Sequence, residues 1–308
     1  MEDSLFGRHQ PETRSTPLKF IIISKIQESK FPVFTISCLE TQKRYALKVF
    51  PYEDGAPHRA FLNESRFTFF KHPSIISFKE VQKFQKTIYK RDRIYTSYII
   101  MEYAINGDLT KYIPKLTRIK DERLIRTIFH QLIEGIEYLH SHGVAHMDLK
   151  LDNLLLDEHF ILKIADFDTA YMNHDPDILS NGTRNYRPPE LLDRTCSDPF
   201  AVDIYSAGVC LFILLTGCFP YIEDQIVEGH CLSELLRNES PLYWEVLASY
   251  NISISEEAKE LFLSMVKSDP VERATLAEIK SSKWFSGEVY NKDQIKSILL
   301  KRENHKLN

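Results

Sequence analysis

From residue 18 onward the chain carries three short runs dense in β-branched and aromatic residues, 18–26, 31–38 and 44–50, each closed by polar positions. That composition predicts three strands. The links between them are too short for crossover helices, so neighbouring strands should pair antiparallel. Residues 60–70 read as a helix. Two further strands, 75–84 and 93–102, flank a basic stretch from Lys83 to Arg93 that reads as a solvated hairpin tip. The hydrophobic period then changes. Ile125, Ile128, Phe129, Leu132, Ile133, Ile136 and Leu139 recur at helical spacing and predict an amphipathic helix that ends near His142-Gly143, its stripe belonging to the core. Two short apolar runs, 154–156 and 160–165, are parted by Asp157-Glu158-His159 and predict a β-hairpin. Ser255 stands as the N-cap of a helix with Glu256 and Glu257 in its first turn, against the macrodipole, and Ala258, Leu261, Phe262 and Met265 on its buried face. A short helix is expected around 294–300. Strands first and helices after predict an α+β class: a small antiparallel sheet with one main helix, then a larger, mainly helical part, with no internal repeat and no second domain.

Composition narrows the classes of function. The chain has 308 residues, 43% of them hydrophobic, enough for two lobes around one cleft. A net charge of −4 gives no basic field for nucleic acid. The five cysteines are scattered, odd in number and without C-x-x-C spacing, which suits reduced thiols and neither a disulfide framework nor a zinc site. The sequons at Asn63, Asn181, Asn238 and Asn251 then carry no weight. Residues 1–17 are polar with two prolines and read as a disordered tail; they hold no apolar core for a signal peptide and no glycine after Met1 for myristoylation. The longest apolar stretch, around 209–215, is far short of a membrane span. The expectation is a soluble, intracellular protein, cytoplasmic with the nucleus open to it.

The candidate chemistry lies in residues 143–168. Asp148 is followed at five positions by Asn153 and thirteen later by Asp166, with Lys150 between the first two. One carboxylate and a lysine thus precede the hairpin, an amide opens it and a second carboxylate leaves it. Phosphoryl transfer needs such a set. One carboxylate orients the attacking hydroxyl, an amide and another carboxylate hold Mg²⁺, and a lysine offsets charge on the moving group. The plain alternative is a surface hairpin whose acids keep it soluble, but Asp166, a carboxylate at the end of an apolar strand, is costly there unless paired or metal-bound. Lys48, inside the apolar run Tyr45-Ala46-Leu47-Lys48-Val49, likewise needs a partner. An edge-strand lysine is the weaker reading.

These residues resemble the catalytic core of eukaryotic protein kinases. His146-Met147-Asp148-Leu149-Lys150 with Asn153 stands where that family has H-R-D-L-K-x-x-N, and Asp166-Phe167-Asp168 where it has D-F-G. Gly182-Thr183 through Tyr186 to Pro189-Glu190 resembles G-T-x-x-Y-x-A-P-E, the Asp203–Gly208 stretch resembles D-x-W-S-x-G, and Lys283-Trp284-Phe285 resembles the closing H-P-W-F. The resemblance covers residues 19–286, with the motifs in order. It implies a bilobal kinase-like fold with domain 18–286, an N-lobe over 18–103, a C-lobe over 104–286 and an extension over 287–308. It implies ATP and Mg²⁺ as cofactors, Asp148 and Lys150 as catalytic residues, and Asn153 and Asp166 as metal ligands. Lys48, paired with Glu64, would hold the α/β-phosphates. The nucleotide bed would include Ile26, Val33, Phe34, Ala46, Met101, Glu102, Ala104, Asp108 and Leu155, with Val33 and Phe34 as alternatives for covering adenine. Glu190 would pair with Arg273. Lys150 and Thr183 fit the serine/threonine type, hence protein substrates with Ser or Thr. The stretch from Leu215 through Tyr221 to Trp284 resembles the calmodulin-dependent/AMP-activated kinase group. Asp108 and Asp152 flank the implied peptide path, so basic residues upstream of the target are expected.

Three departures matter. The segment from Ile26 to Phe34 has no glycine where the family has G-x-G-x-x-G, and Pro32 lacks an N–H, so phosphates would be held more weakly or differently. Met147 replaces the arginine that in the family receives an activation-loop phosphate, and Leu179 occupies the usual acceptor position, with Ser180 beside it. Activation-loop phosphorylation is therefore not expected to be the switch. Asp168 replaces glycine and is expected to reduce flipping of its motif without loss of metal binding. Two readings remain open: an active kinase, favoured because Lys48, Asp148, Lys150, Asn153 and Asp166 are all intact, and a pseudokinase serving as a nucleotide-binding or scaffolding module.

Overall fold

The structure, a computed structural model, describes residues 18–89, 92–113, 121–176, 182–196, 198–221, 226–227 and 230–304, with backbone alone at 84–89, 92–94, 226–227, 230–231 and 301–304. The expected tail over 1–17, the tip of the basic hairpin, and Leu179 and Ser180 lie outside the described residues.

The N-terminal part is an antiparallel sheet of β1 (Phe20–Gln27), β2 (Val33–Cys38), β3 (Arg44–Glu53), β5 (Phe78–Tyr89) and β6 (Asp92–Glu102), in the order β1-β2-β3-β6-β5, with a two-residue β4 (Ala56–Pro57) returning along the end of β3. Residues paired across antiparallel strands share a face. Val33 faces Lys48 and Thr35 faces Ala46 across the β2–β3 ladder, while Phe34 faces Leu47 and Ile36 faces Tyr45. The sheet therefore has two distinct sides. Phe34, Ile36, Cys38, Tyr45, Leu47, Val49 and Ile100 form a separate outer cluster, and Ala46 and Phe50 belong to the main core.

Helix α1 spans Arg59–Glu64, with His58 Nδ1 accepting from Ala60 N at its start, and passes into a single 3₁₀ turn over Ser65–Phe67. It is shorter than the helix expected over 60–70. In Phe67-Thr68-Phe69-Phe70 the aromatic and β-branched residues lose side-chain freedom in a helix. Leaving the helix lets Phe67 and Phe70 both bury and stack at 5.7 Å, with Phe69 outside.

In the second part the Glu122–Ser141 helix begins at Asp121, whose carboxylate accepts from Leu124 N, and ends at His142 before Gly143 at φ +69°. The predicted hairpin forms as Leu154–Leu156 against Leu162–Ile164, and Gly107–Asp108 adds a third strand. Ile76 N donates to Ile164 O and Ile164 N to Ser74 O, tying this hairpin to the chain entering β5. The Pro199–Thr216 helix is longer than the apolar stretch read from sequence. Its length and composition would suit a bilayer, but 83% of it is buried inside the protein, where it serves as the central core helix. Arg273 grips Glu190 as expected, with Nη1 to Oε1 at 2.6 Å and Nη2 to Oε2 at 2.7 Å. Ser255 stands at the N-cap position but its hydroxyl does not cap the helix; it donates to Glu122 Oε2 at 2.9 Å, because that carboxylate reaches it from the neighbouring helix. The C-terminal helix, Lys292–Asn304, extends further than 294–300 and buries Ile295 and Leu299.

Candidate active site

Glu64, the last residue of α1, is fully buried and meets Lys48 from the middle of β3. Lys48 Nζ donates to Glu64 Oε2 at 2.6 Å and to Asp166 Oδ1 at 2.5 Å, and Asp168 Oδ2 lies 3.9 Å away. One cation thus answers three carboxylates drawn from two lobes. Burial alone would lower the Lys48 pKa, but Asp166, Glu64 and Asp168 together raise it, so the ammonium stays charged. Burial pushes Glu64 up against the pull of Lys48. Burial also opposes ionisation of Asp166, yet Lys48 outweighs it and holds that carboxyl below its ordinary value. Asp168 is raised, by burial first and by Asp166 second.

The loop before the hairpin is organised from beneath by Asp203 of the Pro199–Thr216 helix. Its buried carboxylate accepts from His146 N at 2.8 Å, Met147 N at 2.9 Å and His140 Nε2 at 2.9 Å. These bonds hold Met147 at φ +66°, a conformation that costs a β-carbon-bearing residue roughly 1–3 kcal/mol. In place of an arginine, the Met147 side chain packs among Ala145, Leu191 and Val202. His146 Nε2 donates to Ala165 O at 2.9 Å, joining this loop to the strand that leads into Asp166.

The loop delivers Asp148 into a polar cage. Asp148 Oδ1 accepts from Thr183 N at 2.6 Å, and Oδ2 accepts from Lys150 Nζ at 2.6 Å. Lys150 also donates to Thr183 Oγ1 at 2.8 Å, and Asn153 Nδ2 donates to Asp148 O at 2.9 Å. Gly182 permits this approach: it sits at φ +120°, where an added Cβ would lie 2.8 Å from Met147 O. Ser206 Oγ, donating to Tyr186 O at 2.9 Å, fixes the same segment from the core helix.

Phe167 is buried, with ring centroids 5.1 Å from His146, 5.7 Å from Phe67, 5.9 Å from Phe70 and 6.3 Å from Phe78. Aspartate at 168 adds no left-handed strain, because within the motif the positive φ, +71°, belongs to Asp166.

The donor set fits Mg²⁺. Asn153 spends its amide nitrogen on Asp148, leaving the oxygen as a ligand atom, and Asp166 has a second carboxylate oxygen beyond the one held by Lys48. Among the described residues no group of three His, Cys, Asp or Glu could hold a metal. Mg²⁺ needs no such group: it takes one or two protein carboxylates and fills its remaining positions with phosphate oxygens and water.

On the cleft side of the sheet, Ala46 and Lys48 share a face with Val33 and Thr35, and Ala46 and Met101 lie in the main core. Phe34 is a correction: strand alternation turns it to the outer cluster, so of the two alternatives only Val33 faces the cleft. Ile26 is exposed at an irregularity where β1 slips against β2. Asp108 pairs with Leu155 across the short third strand, bringing these two expected residues together, and its carboxylate accepts from Thr110 and lies 3.4 Å from Lys111 Nζ. Ala104 is buried after β6, and Glu102 Oε1 accepts from Ser77 N at 2.8 Å with Lys163 Nζ 3.3 Å away. The glycine-free turn between β1 and β2 is pinned by Phe31, whose ring packs 4.9 Å from Phe50 and 4.7 Å from His58, with Lys48 Nζ 5.8 Å above it.

Sequence reasoning did not single out Asn63, Arg66, Lys163 or Asp175, all of which bond to site elements. Lys163 carried a signal, a lysine alternating with leucine and isoleucine in a buried strand; the others reach the site through contacts more than 100 residues apart.

The sequence matches the protein kinase domain family over residues 31–285. Among curated proteins it is 36% identical over 220 residues to CBL-interacting protein kinase 26 of Oryza sativa subsp. japonica, covering 70% of this chain and 40% of the relative. It is 34% identical over 219 residues to the carbon catabolite-derepressing protein kinase of Secale cereale, covering 70% and 39%. To the serine/threonine protein kinase OSK3 of Oryza sativa subsp. indica it is 35% identical over 218 residues, again covering 70% and 39%. The chain thus spans about 40% of the length of the curated relatives it matches.

Proposed function

The chain belongs to the protein kinase domain family, and from that premise we propose that it transfers the γ-phosphoryl group of ATP to serine or threonine hydroxyls of proteins without needing activation-loop phosphorylation. The single observation that carries this reading is the assembled Lys48–Glu64 and Lys48–Asp166 pair, standing together with a caged Asp148. Three carboxylates around one lysine add repulsion and desolvation, a cost that holding metal and phosphates offsets and a purely structural cluster does not.

Asp148 receives the substrate hydroxyl and accepts its proton as the new O–P bond forms and the bond from the γ-phosphorus to the β–γ bridging oxygen breaks, releasing ADP. Lys150, already bonded to Asp148, offsets charge on the transferring group. Lys48, oriented by Glu64, holds the α/β-phosphates. Mg²⁺, held by Asn153 and Asp166, would neutralise charge on the β/γ-phosphate oxygens. Val33, Ala46, Met101 and Leu155 form the apolar bed, and backbone groups near Glu102 and Ala104 pair with adenine. Without glycines between β1 and β2, the Phe31 anchor fixes the lid, and phosphate grip falls more heavily on Lys48.

Buried Met147 supports independence from loop phosphorylation, since no cation stands there to receive a phosphate. Lys150 and Thr183, together with the similarity to named serine/threonine kinases, support the hydroxyl class and a place near the calmodulin-dependent/AMP-activated group. Basic residues upstream of the target would meet Asp108, displacing the exposed Lys111, and Asp152. An intracellular, cytoplasmic setting is part of the same proposal. The test is phosphate incorporation from Mg-ATP into basic serine peptides beside Asp148→Asn. Incorporation by the wild type alone supports the enzyme; none, with Mg-ATP still raising the melting temperature, supports the scaffold reading instead.

A further inference from the structure

The helix that supplies Glu64 is joined to the segment following Asp166 by bonds that the chemistry above does not use. Asn63 donates through Nδ2 to Asp168 O at 3.1 Å and to Ala170 O at 2.8 Å. Its Oδ1 accepts from Arg66 Nη1 at 3.0 Å. Arg66 in turn holds Asp175 with both arms of its fork, Nη1 to Oδ2 at 3.0 Å and Nη2 to Oδ1 at 2.8 Å. Asp175 Oδ2 also accepts from Met172 N at 2.8 Å, which curls the segment back upon itself. One run of hydrogen bonds therefore leads from the backbone beside the metal-binding motif, through two side chains of a single helical turn, to a carboxylate nine residues past Asp166.

Apolar packing seats Phe167 against Phe67 and Phe70 but thins out farther along the segment. A cavity of about 220 Å³ lies between α1 and the segment, lined among others by Arg59, Leu62, Asn63, Arg66, Thr169 and Asp175. Where side chains do not interdigitate, position depends on directional bonds, and a bidentate arginine–carboxylate pair fixes both distance and angle. Residue 147 offers no cation to the segment, because Met147 is buried in an apolar cluster. The cation comes from the 3₁₀ turn that continues α1 and the anion from the chain's own Asp175.

We propose that Asn63, Arg66 and Asp175 are positioning residues of the phosphotransfer site, fixing α1 against the segment after Asp166 so that Glu64 stays on Lys48, with Asp175 supplying the negative charge that holds the segment. The proposal rests on the kinase reading of the site. A permanent carboxylate makes the alignment a property of the unmodified chain. Lysine at 66 would keep charge but lose the fork.

The test compares wild type with Asp175→Asn, Asp175→Glu, Arg66→Lys and the exchanged pair Arg66→Asp/Asp175→Arg. In Asp175→Asn, kcat should fall about 10-fold with peptide KM within about twofold, as expected for a misplaced constellation. Asp175→Glu should recover most of it, and the exchanged pair, which leaves Met172 N–H and Asn63 Oδ1 without these partners, only part. In Asp175→Asn, amide exchange over 59–67 and 168–176 should quicken at least about fivefold while the melting temperature falls by only about 2–3 °C, the ion pair's own contribution. Unchanged kcat and unchanged exchange in Asp175→Asn would overturn the proposal with the kinase reading intact. Were the wild type itself to transfer no phosphate, the kinase reading would fall, and the exchange comparison would still decide whether these residues hold α1.

Discussion

Replacing Glu190 by alanine tests how the catalytic loop is braced from below. Arg273 is 1% exposed at its side chain and Glu190 8%. Beyond the two bonds to Glu190, Arg273 donates to Ala201 O at 3.0 Å, Lys267 O at 2.8 Å and Ser268 O at 3.3 Å, and lies 5.0 Å above the Tyr205 ring. Carbonyls and a ring partly solvate a guanidinium but do not neutralise it. Glu190→Ala therefore strands a buried cation, a loss of about 3–5 kcal/mol. At about 2 °C per kcal/mol, the slope that suits a domain of this size, the melting temperature should drop by roughly 6–10 °C. Replacing both partners by apolar residues, Glu190→Leu with Arg273→Met, removes the charge with its partner and should recover most of the loss. The assay is a double-mutant cycle by thermal and urea unfolding, with kcat read on each variant, because Glu190 follows the segment that carries Thr183 to Asp148. The reasoning fails if Glu190→Ala melts within about 2 °C of wild type, or if the two single losses simply add.

Other consequences are as direct. Lys48→Met leaves Glu64, Asp166 and Asp168 without their shared cation and should lower kcat/KM by about 10²–10³-fold, measured with saturating Mg²⁺. Gly182→Ala forces a Cβ toward Met147 O at a left-handed φ; it should cost roughly 1–3 kcal/mol in stability and lower kcat as Thr183 N leaves Asp148. Burial opposes ionisation of Asp175, but the Arg66 hydrogen bonds, the Met172 amide and the charges of Arg66 and Arg59 hold its carboxyl below the usual value. With the folded value depressed, its stabilisation is present above the unfolded value near 3.9 and is lost as pH falls through the folded one. The stability gap between wild type and Asp175→Asn should therefore be flat from about pH 5 to 8 and close below about pH 4; a gap that widens in acid would contradict the assignment.

Much of this was legible in sequence because the signals are local. The hairpin after Asn153 follows from two apolar runs and three polar residues between them, and it sets the spacing of Asp148, Asn153 and Asp166. The cleft face of β3 follows from alternation, although choosing Val33 over Phe34 required the register with Lys48 and Leu47. The end of α1 was not legible. A run of aromatics reads as apolar in helix or turn alike, and only the stacking of Phe67, Phe70 and Phe167 decides for the turn. Ser255 shows the limit of capping rules: its hydroxyl answers a carboxylate 133 residues away rather than its own helix. The Arg66–Asp175 pair spans 109 residues, and no local pattern distinguishes that aspartate from a solvated one.

If this chain is a kinase that works without a loop phosphate, one comparison of rates decides it. Phosphate transfer from Mg-ATP is followed from time zero with phosphatase-treated protein, shown by mass to be unmodified, against untreated protein and Asp148→Asn. Equal rates for the first two, with Asp148→Asn lower by at least about 10²-fold, are predicted. A treated enzyme that is several-fold slower and recovers when phosphorylated between residues 177 and 181 would contradict it.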